Sequence, residues 1–356
     1  MFNVKDKKVL IVGLGASGYA VAELLARKGA VVRITESSDS KEVRERLSRL
    51  SRYRPQAETG RHTEEFCRDA DLVVASPGID PGSLPLAVSR KDGKEIIGEL
   101  ELAYRFCEAP IIAITGTNGK STTTELIGNI ISRSGRHAVV CGNIGNPLSG
   151  EVDRLKKDSI AVVEVSSFQL ETVKEFKPYI GVLLNVSEDH YERHGNLEAY
   201  KAEKFRVFGN QSEDDWAVLH SDFRNDPMTR RIKGQTVFFG GPGSEVFAEH
   251  GRVIMDIGGA GRIVIEGKDM PIKGIHNMEN VACAILVSRI MGVEDRYLRE
   301  GVMNFKGLSH RFEKVAELDG IEFIDDSKAT NIDATRRALE SVDRKVVLIA
   351  GGRDKG

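Results

Sequence analysis

The chain has 356 residues, 40% of them hydrophobic and 29% charged, and its 51 Lys+Arg against 53 Asp+Glu leave a formal net charge of −2. That length suggests two or three domains of ordinary globular composition, and the near balance of signs argues against a nucleic-acid-binding surface. Cys67, Cys107, Cys141 and Cys283 form no C-x-x-C pair, as expected of reduced thiols in a cytoplasmic protein, and no run approaches the 18 apolar residues of a membrane span.

Lys5, Lys7 and Lys8 ahead of the apolar run 9–12 mimic the start of a signal peptide, but Gly13, Gly15 and Gly18 interrupt what would be its apolar core. The glycines have a better reading. A strand over 9–12, the run Gly13-Leu14-Gly15-Ala16-Ser17-Gly18 and a helix over 16–28 make a G-x-G-x-x-G motif in its proper context, with Glu36 near the end of the next strand. Alone it suggests an NAD enzyme, although the same helix N-terminus can receive any anionic ligand. Strands over 31–34 and 72–75 continue an alternation with helices that implies a parallel sheet. Ser76-Pro77-Gly78 and Asp80-Pro81-Gly82 read as turns and 93–98 as a linker, which closes a first domain at 1–98.

A second domain, 99–307, opens on Ile111-Ile112-Ala113-Ile114 and the loop Thr115-Gly116-Thr117-Asn118-Gly119-Lys120-Ser121-Thr122. A buried strand, a glycine loop and a helix start is how chains surround nucleotide phosphates: Lys120 would reach the β/γ-phosphates and the Ser121 hydroxyl would sit on Mg²⁺. The strict pattern has glycine where this chain has Ile114, with Gly116 glycine instead. Strands are expected over 111–115, 138–141, 160–165 and 180–184, and a helix over 277–291. The runs 236–239, 252–257 and 262–266, with no helix between them, read as a small antiparallel appendage. Glu164 ends an apolar strand and is a candidate Mg²⁺ ligand opposite Ser121. His190, beside Asp189 after the next strand, is placed for metal or substrate, whereas His194 reads as structural. Pattern alone makes Lys204 a solvated helix lysine.

A third unit over 308–356 is expected to hold strands at 322–324 and 345–350 around a helix at 334–341. About 50 residues are too few to bury an α/β core, so the chain reads as a shortened form of a longer protein. Two glycine loops on successive α/β units point to two nucleotides, or a nucleotide-tagged substrate beside ATP. That favours ATP-dependent transfer or ligation over a dehydrogenase, with a nucleotide-gated regulator still open.

Taken together, Thr115 to Thr122, the run Glu164-Val165-Ser166-Ser167-Phe168-Gln169-Leu170, Asn185 to Tyr191, His276-Asn277-Met278-Glu279-Asn280, His310-Arg311-Phe312-Glu313 and Asp325-Asp326-Ser327-Lys328-Ala329-Thr330-Asn331 resemble the Mur ligase family, in the expected order. The second and last runs resemble its D-glutamate-adding branch. The resemblance implies a three-domain α/β architecture: an N-terminal Rossmann-like domain, a central P-loop ATPase-like domain and a partial C-terminal Rossmann-like domain. It implies that the first glycine loop holds a uridine diphosphate and not NAD, with Gly13, Gly15, Ala16, Ser17 and Gly18 on the diphosphate and Glu36 and Ser37 near uracil. Asn143, Ser167 and Gln169 would lie near the rest of that substrate. ATP would be held by Gly116, Thr117, Asn118, Gly119, Lys120, Ser121 and Thr122, by Asn277 and Asn280 on the adenine side, and by Arg311 and Asp326, the latter through the ribose.

The same resemblance implies two Mg²⁺ ions held by Ser121, Glu164, His190 and a carbamate formed from CO₂ on Lys204, although Glu203 stands where the family usually has alanine. His190, Lys328, Thr330 and Lys355 would line the amino-acid and phosphate region. The implied activity is ATP-dependent ligation of D-glutamate to UDP-N-acetylmuramoyl-L-alanine through an acyl phosphate, in peptidoglycan precursor synthesis, by a cytoplasmic monomer whose partners are small molecules and include neither nucleic acid nor membrane. Later family contacts to D-glutamate have no counterpart before Gly356, so a chain of this length is expected to bind the UDP substrate and ligate poorly. The alternatives are another amino-acid ligase of the Mur or folylpolyglutamate-synthase type, an NAD-dependent dehydrogenase, or a non-catalytic nucleotide-binding fragment.

Overall fold

In chain order the elements are β1 (Lys8–Val12), α1 (Ala16–Arg27), β2 (Val31–Glu36), α2 (Lys41–Leu50), β3 (Gln56–Thr59), α3 (Glu64–Arg68), β4 (Leu72–Ala75), α4 (Leu84–Lys91), β5 (Glu95–Gly98) and α5 (Glu99–Phe106). There follow β6 (Ile111–Thr115), α6 (Lys120–Arg133), β7 (Ala138–Gly142), α7 (Leu148–Glu151), β8 (Ile160–Glu164), α8 (Ser167–Leu170), β9 (Ile180–Leu183), α9 (Tyr191–His194), α10 (Leu197–Phe205) and β10 (Trp216–His220). The remainder is β11 (Gln235–Gly240), β12 (Val246–Glu249), β13 (Arg252–Met255), β14 (Arg262–Glu266), α11 (Ile275–Ile290), α12 (Asp295–Met303), β15 (Glu313–Leu318), β16 (Ile321–Asp325) and α13 (Ile332–Glu340). These come from a computed structural model that describes residues 2–255 and 262–352. They pack as two compact units, the first formed by 1–110, 141–158 and 165–177 and the second by the rest.

The first unit is built on a parallel sheet of order β3-β2-β1-β4-β5. Val9, Leu10, Ile11 and Val12 are all buried, because a central parallel strand is covered on both faces. β1 lies between β2 and β4, so strand order reverses at its carboxyl end, where ligands of open α/β sheets bind. The first glycine loop sits there. Gly13 has φ +90°, and a Cβ on Gly18 would run into the Gly13 carbonyl, which is how α1 packs so closely on the loop. Gly18→Ala is therefore expected to cost about 2–3 kcal/mol of stability, read as a lower denaturation midpoint.

Residues 93–98 are not a linker. Glu95–Gly98 pairs with β4 as an edge strand, and Ile97 is fully buried, so the two adjacent isoleucines decide the segment against its flanking glycines. The buried Glu101 carboxylate on α5 accepts from the amides of Lys174 (2.8 Å), Glu175 (3.1 Å) and Phe176 (3.0 Å) and from Arg105 Nε (2.9 Å), which fastens 165–177 into this unit.

The second unit holds a nine-stranded sheet of order β14-β13-β12-β11-β10-β9-β6-β8-β7. The expected appendage is part of it: β11 runs parallel to β10 and β12 parallel to β11, and only β13 and β14 are antiparallel. The strands β10 and β12, which sequence reading missed, carry the sheet across. Residues 256–257 of the expected run lie outside the described residues. Ile112, Ile114, Leu126, Ile127 and Ile130 form one core with the middle of α11, a helix apolar on nearly every side because it is buried on nearly every side.

From 308 onward the described residues contribute an antiparallel hairpin, β15–β16, and α13. The strand expected over 345–350 is absent among them. A β-branched run becomes a strand only where a neighbour completes its ladder, and here Val347 and Ile349 are 92% and 95% exposed. Cys67, Cys141 and Cys283 are buried and Cys107 is partly exposed. Burial pushes the Cys67 thiol up to about 11 and the Cys283 thiol higher still. A thiol reagent should modify Cys107 alone in the native protein and all four cysteines after unfolding.

Candidate active site

β6 ends in the Gly116–Gly119 loop, and two glycines there are required by geometry. Gly116 (φ +153°) would bring a Cβ to 2.9 Å from Leu184 Cβ, and Gly119 (φ +84°) would drive one into the Asn280 side chain. Asn185, just past β9, pins the loop: its Oδ1 accepts from Asn118 N (2.8 Å), its Nδ2 donates to Asn118 O (3.0 Å), and its own carbonyl accepts from Thr117 N (2.9 Å). Ser187 and Thr117 add a reciprocal pair, at 3.1 and 3.3 Å. The loop leads into the 14-residue α6, whose first-turn N–H groups form an anion-binding end beside Lys120, Ser121 and Thr122.

Two lysines converge on one carbonyl. Lys120 Nζ donates to Gly116 O (3.0 Å) and Thr117 O (2.8 Å), and Lys204 Nζ donates to Gly116 O (2.8 Å). Lys204 is only 1% exposed, so the solvated helix lysine read from pattern is a core residue, with its ammonium nitrogen 4.2 Å from the Tyr200 ring centroid. α10 is too close to the loop for the side chain to escape to water. Burial and the neighbouring Lys120 charge put Lys204 well below the usual lysine range. Burial lowers Lys120 as well, against the support of Glu164 and Asp189. Glu164 is 3% exposed and stands in register with Ile114 of β6, beside the strand that feeds the loop.

His190 adopts φ +53° at the start of α9, its amide donating to Asp189 Oδ1 (3.0 Å) and its Nε2 lying 3.7 Å from Asp189 Oδ2. His194 packs on Tyr200 with ring centroids 5.0 Å apart, in keeping with a structural role. A serine hydroxyl, buried carboxylate oxygens and an imidazole are the donor types a hard divalent cation takes, so the residues fit Mg²⁺. A charged Lys204 does not, and a neutral amine there removes the conflict.

The segment after 308 meets this loop directly. Arg311 Nη2 donates to Ser121 Oγ (2.8 Å). A hollow beside the loop is lined by Asn118, Asn277, Asn280, Arg311, Asp326 and Lys328, which brings together residues far apart in sequence. Asn280 Nδ2 donates to Asn277 Oδ1 (3.1 Å), and Asn280 Oδ1 accepts from Thr123 (3.2 Å). Asp326 accepts from Phe312 N (3.0 Å), and burial raises its carboxyl. Thr330 lines a second hollow with Glu192 and Arg336, and Ala329, between Lys328 and Thr330, lines both. Lys355 lies outside the described residues. Sequence reasoning passed over Tyr200, Glu279, Asp333 and Arg337. The i,i+4 spacing of Asp333 and Arg337 reads as an ordinary surface pair, although Arg337 also approaches Glu279 at 3.5 Å.

In the first unit, Glu36 Oε2 accepts from Leu14 N (2.7 Å), and its Oε1 accepts from Ser38 N (2.9 Å) and Ser37 Oγ (3.2 Å). Burial would raise this carboxyl, but those hydrogen bonds hold it below the usual range. Gly13, Gly15, Ala16, Ser17 and Gly18 surround the start of α1. Asn143, Ser167 and Gln169 belong to the same unit. Asn143 is exposed, whereas Ser167 and Gln169 are buried, and Gln169 closes a capping box with Ser166 on α8.

Comparison with known proteins places these features. The Mur ligase middle domain matches residues 114–288 and the Mur ligase MurD-like N-terminal domain matches 7–98. A UDP-N-acetylmuramoylalanine–D-glutamate ligase of Koribacter versatilis is 41% identical over 361 aligned residues, covering 99% of this chain and 79% of the relative. The enzyme of the same name from Pelotomaculum thermopropionicum is 41% identical, covering 98% and 78%. Two solved structures share the fold: a pseudomurein peptide ligase type C of Methanothermus fervidus (TM-score 0.57, 21% identity, 96% of this chain and 78% of that one) and a UDP-N-acetylmuramate-alanine ligase of Thermotoga maritima (0.58, 21%, 94% and 77%).

Proposed function

Since this chain belongs to the Mur ligase family, we infer that it joins D-glutamate to UDP-N-acetylmuramoyl-L-alanine with cleavage of ATP to ADP and phosphate, in peptidoglycan precursor synthesis. The observation that carries this is 41% identity across 99% of the chain to a ligase of that name. We assign 1–98 to the UDP substrate, 99–307 to ATP and 308–356 to the ligase domain; the N-terminal family match ends at 98, and the middle-domain match, 114–288, falls inside the second assignment. Gly13 to Gly18, with Glu36 and Ser37, take the uridine diphosphate, and Asn143, Ser167 and Gln169 lie toward the sugar and peptide. A dehydrogenase would need Glu36 for a ribose diol, whereas its oxygens accept from Leu14, Ser37 and Ser38.

The chemistry follows from the groups around the Gly116 loop. A carboxylate oxygen is a poor leaving group. Transfer of the γ-phosphoryl group of ATP to the alanyl carboxylate makes an acyl phosphate and releases ADP. The amine of D-glutamate then attacks that carbonyl, phosphate leaves with the bonding pair, the nitrogen loses a proton, and an amide remains. Lys120 and the α6 N-terminus hold the triphosphate and offset charge that spreads over its oxygens. Thr117, Asn118 and Thr122 shape the loop around it, and Arg311 leaves Ser121 for the phosphate. Asn277 and Asn280 face the base, Asp326 the ribose, and Lys328, Thr330 and Lys355 the amino acid and phosphate.

Two Mg²⁺ ions, when bound, supply Lewis-acid neutralisation of the phosphoryl oxygens. Ser121, Glu164 and His190 would hold them, together with Lys204 as its carbamate. Support for the carbamate is the burial of Lys204 beside Lys120: an uncharged amine is the form that adds to CO₂, and the product is an oxygen donor of the type Mg²⁺ takes. We further take the enzyme to act in the cytoplasm as a monomer on small molecules; no helix among the described residues is long and apolar enough to cross a membrane. Calorimetric titration tests the assignment of the first unit: UDP-N-acetylmuramoyl-L-alanine should bind and NAD should not, and the reverse result rejects it.

A further inference from the structure

Asn118, in the middle of the Gly116–Gly119 loop, has every polar group engaged by protein. Asn185 takes its backbone N–H and C=O. The side chain is held by α13: Nδ2 donates to Asp333 Oδ2 (2.9 Å), and Oδ1 accepts from Asn331 Nδ2 (3.1 Å). Asn331 also caps α13 by accepting from Ala334 N (2.8 Å), and its Nδ2 reaches Asp189 Oδ2 (3.3 Å). Loop and helix are thus tied across a separation of 215 residues.

A carboxylate beside a loop that receives a triphosphate is electrostatically unfavourable, so its presence needs a reason. Asp333 lies in the first turn of the nine-residue α13, where the helix dipole favours an anion. Arg336 Nη2 donates to its Oδ1 (2.8 Å) and Arg337 Nε to its Oδ2 (3.2 Å). Burial would raise this carboxyl, yet Arg336, Arg337 and Asn118 together hold it below the usual range. Arg336 and Arg337, which also approach Glu340 (3.9 Å) and Glu279 (3.5 Å), offset the Asp333 charge that an incoming phosphate would otherwise meet, while the carboxylate remains an anionic acceptor for Asn118. Hydrogen bonds to a charged acceptor are roughly twice as strong as neutral ones.

We propose that Asp333 is a positioning residue for ATP: by accepting from Asn118 Nδ2 it holds the Gly116–Gly119 loop open in its phosphate-receiving form before the nucleotide arrives. This rests on the ATP reading of that loop. Without Asp333 the Asn118 side chain keeps only the neutral bond from Asn331 Nδ2, and the more loosely held loop must be reordered by each nucleotide that binds.

The test is titration of ADP into the full chain and its variants by calorimetry, beside the KM values for ATP and for UDP-N-acetylmuramoyl-L-alanine. D333A should weaken ADP binding and raise the KM for ATP by roughly tenfold, leaving the KM for the UDP substrate within about twofold. D333N keeps an oxygen for Asn118 and should recover most of the loss. The proposal is overturned if D333A binds ADP within about twofold of the parent, if D333N is no better than D333A, or if both KM values rise together. Should D333A not fold, a D333N variant with tenfold weaker ADP binding overturns it and one near the parent supports it. A parent that binds no ADP overturns the ATP reading as well, whereas equal binding by parent and D333A overturns only the role of Asp333.

Discussion

Replacing Lys120 by alanine is expected to lower phosphate release from Mg·ATP by roughly 10²–10³-fold, the usual loss when one preorganised group facing transition-state charge is removed. Lys120 is the cation at the start of α6, and in the resting protein its ammonium is parked on the carbonyls of Gly116 and Thr117. Those carbonyls keep it within the loop, so it can exchange protein oxygens for phosphate oxygens. Lys120→Arg should not rescue, since a planar guanidinium fork does not reproduce the compact point charge that the carbonyls of Gly116 and Thr117 hold at the loop. Rates measured at saturating ATP decide the point: a Lys120→Ala variant within tenfold of the parent removes Lys120 from the chemistry.

Lys204→Ala should be nearly as damaging, with roughly 10²-fold slower phosphate release. The distinguishing feature is chemical rescue. The side chain removed is long and buried against Tyr200, so its loss leaves a space beside the Gly116 carbonyl. If the working group is a carbamate, acetate or formate entering that space should restore part of the rate, because either supplies carboxylate oxygens to the metal. If the working group is an ammonium, methylamine should rescue and carboxylates should not. Stripping CO₂ and bicarbonate from the buffer should slow the parent and leave Lys204→Ala unchanged.

Much of this fold was legible because its signals are local. β4 and β6 are apolar runs bounded by turn residues, and their ends agree with expectation to the residue. Both glycine loops follow strands because only glycine reaches φ +90° at Gly13 or +84° at Gly119 without strain. What failed was non-local. Glu95–Gly98 looked like a linker because two isoleucines become a strand only when β4 lies alongside, and 345–350 looked like a strand although no neighbour among the described residues completes it. The same division runs through the site. Lys120 and Ser121 announce themselves by motif, whereas the burial of Lys204 depends on α10 folding back onto the loop. Asp333 and Arg337 carry no signal at all, since their partners Asn118 and Glu279 are distant in sequence.

The central claim is the identity of the substrates that this chain joins. Its most direct test is phosphate release from Mg·ATP, with and without UDP-N-acetylmuramoyl-L-alanine, across a panel of amino acids, for the 356-residue chain and for a form extended to the length of its curated relatives. The account predicts release by the extended form only when the UDP substrate and D-glutamate are both present, with the other amino acids at background. Release that ignores the UDP substrate, or that follows another amino acid in place of D-glutamate, would contradict it.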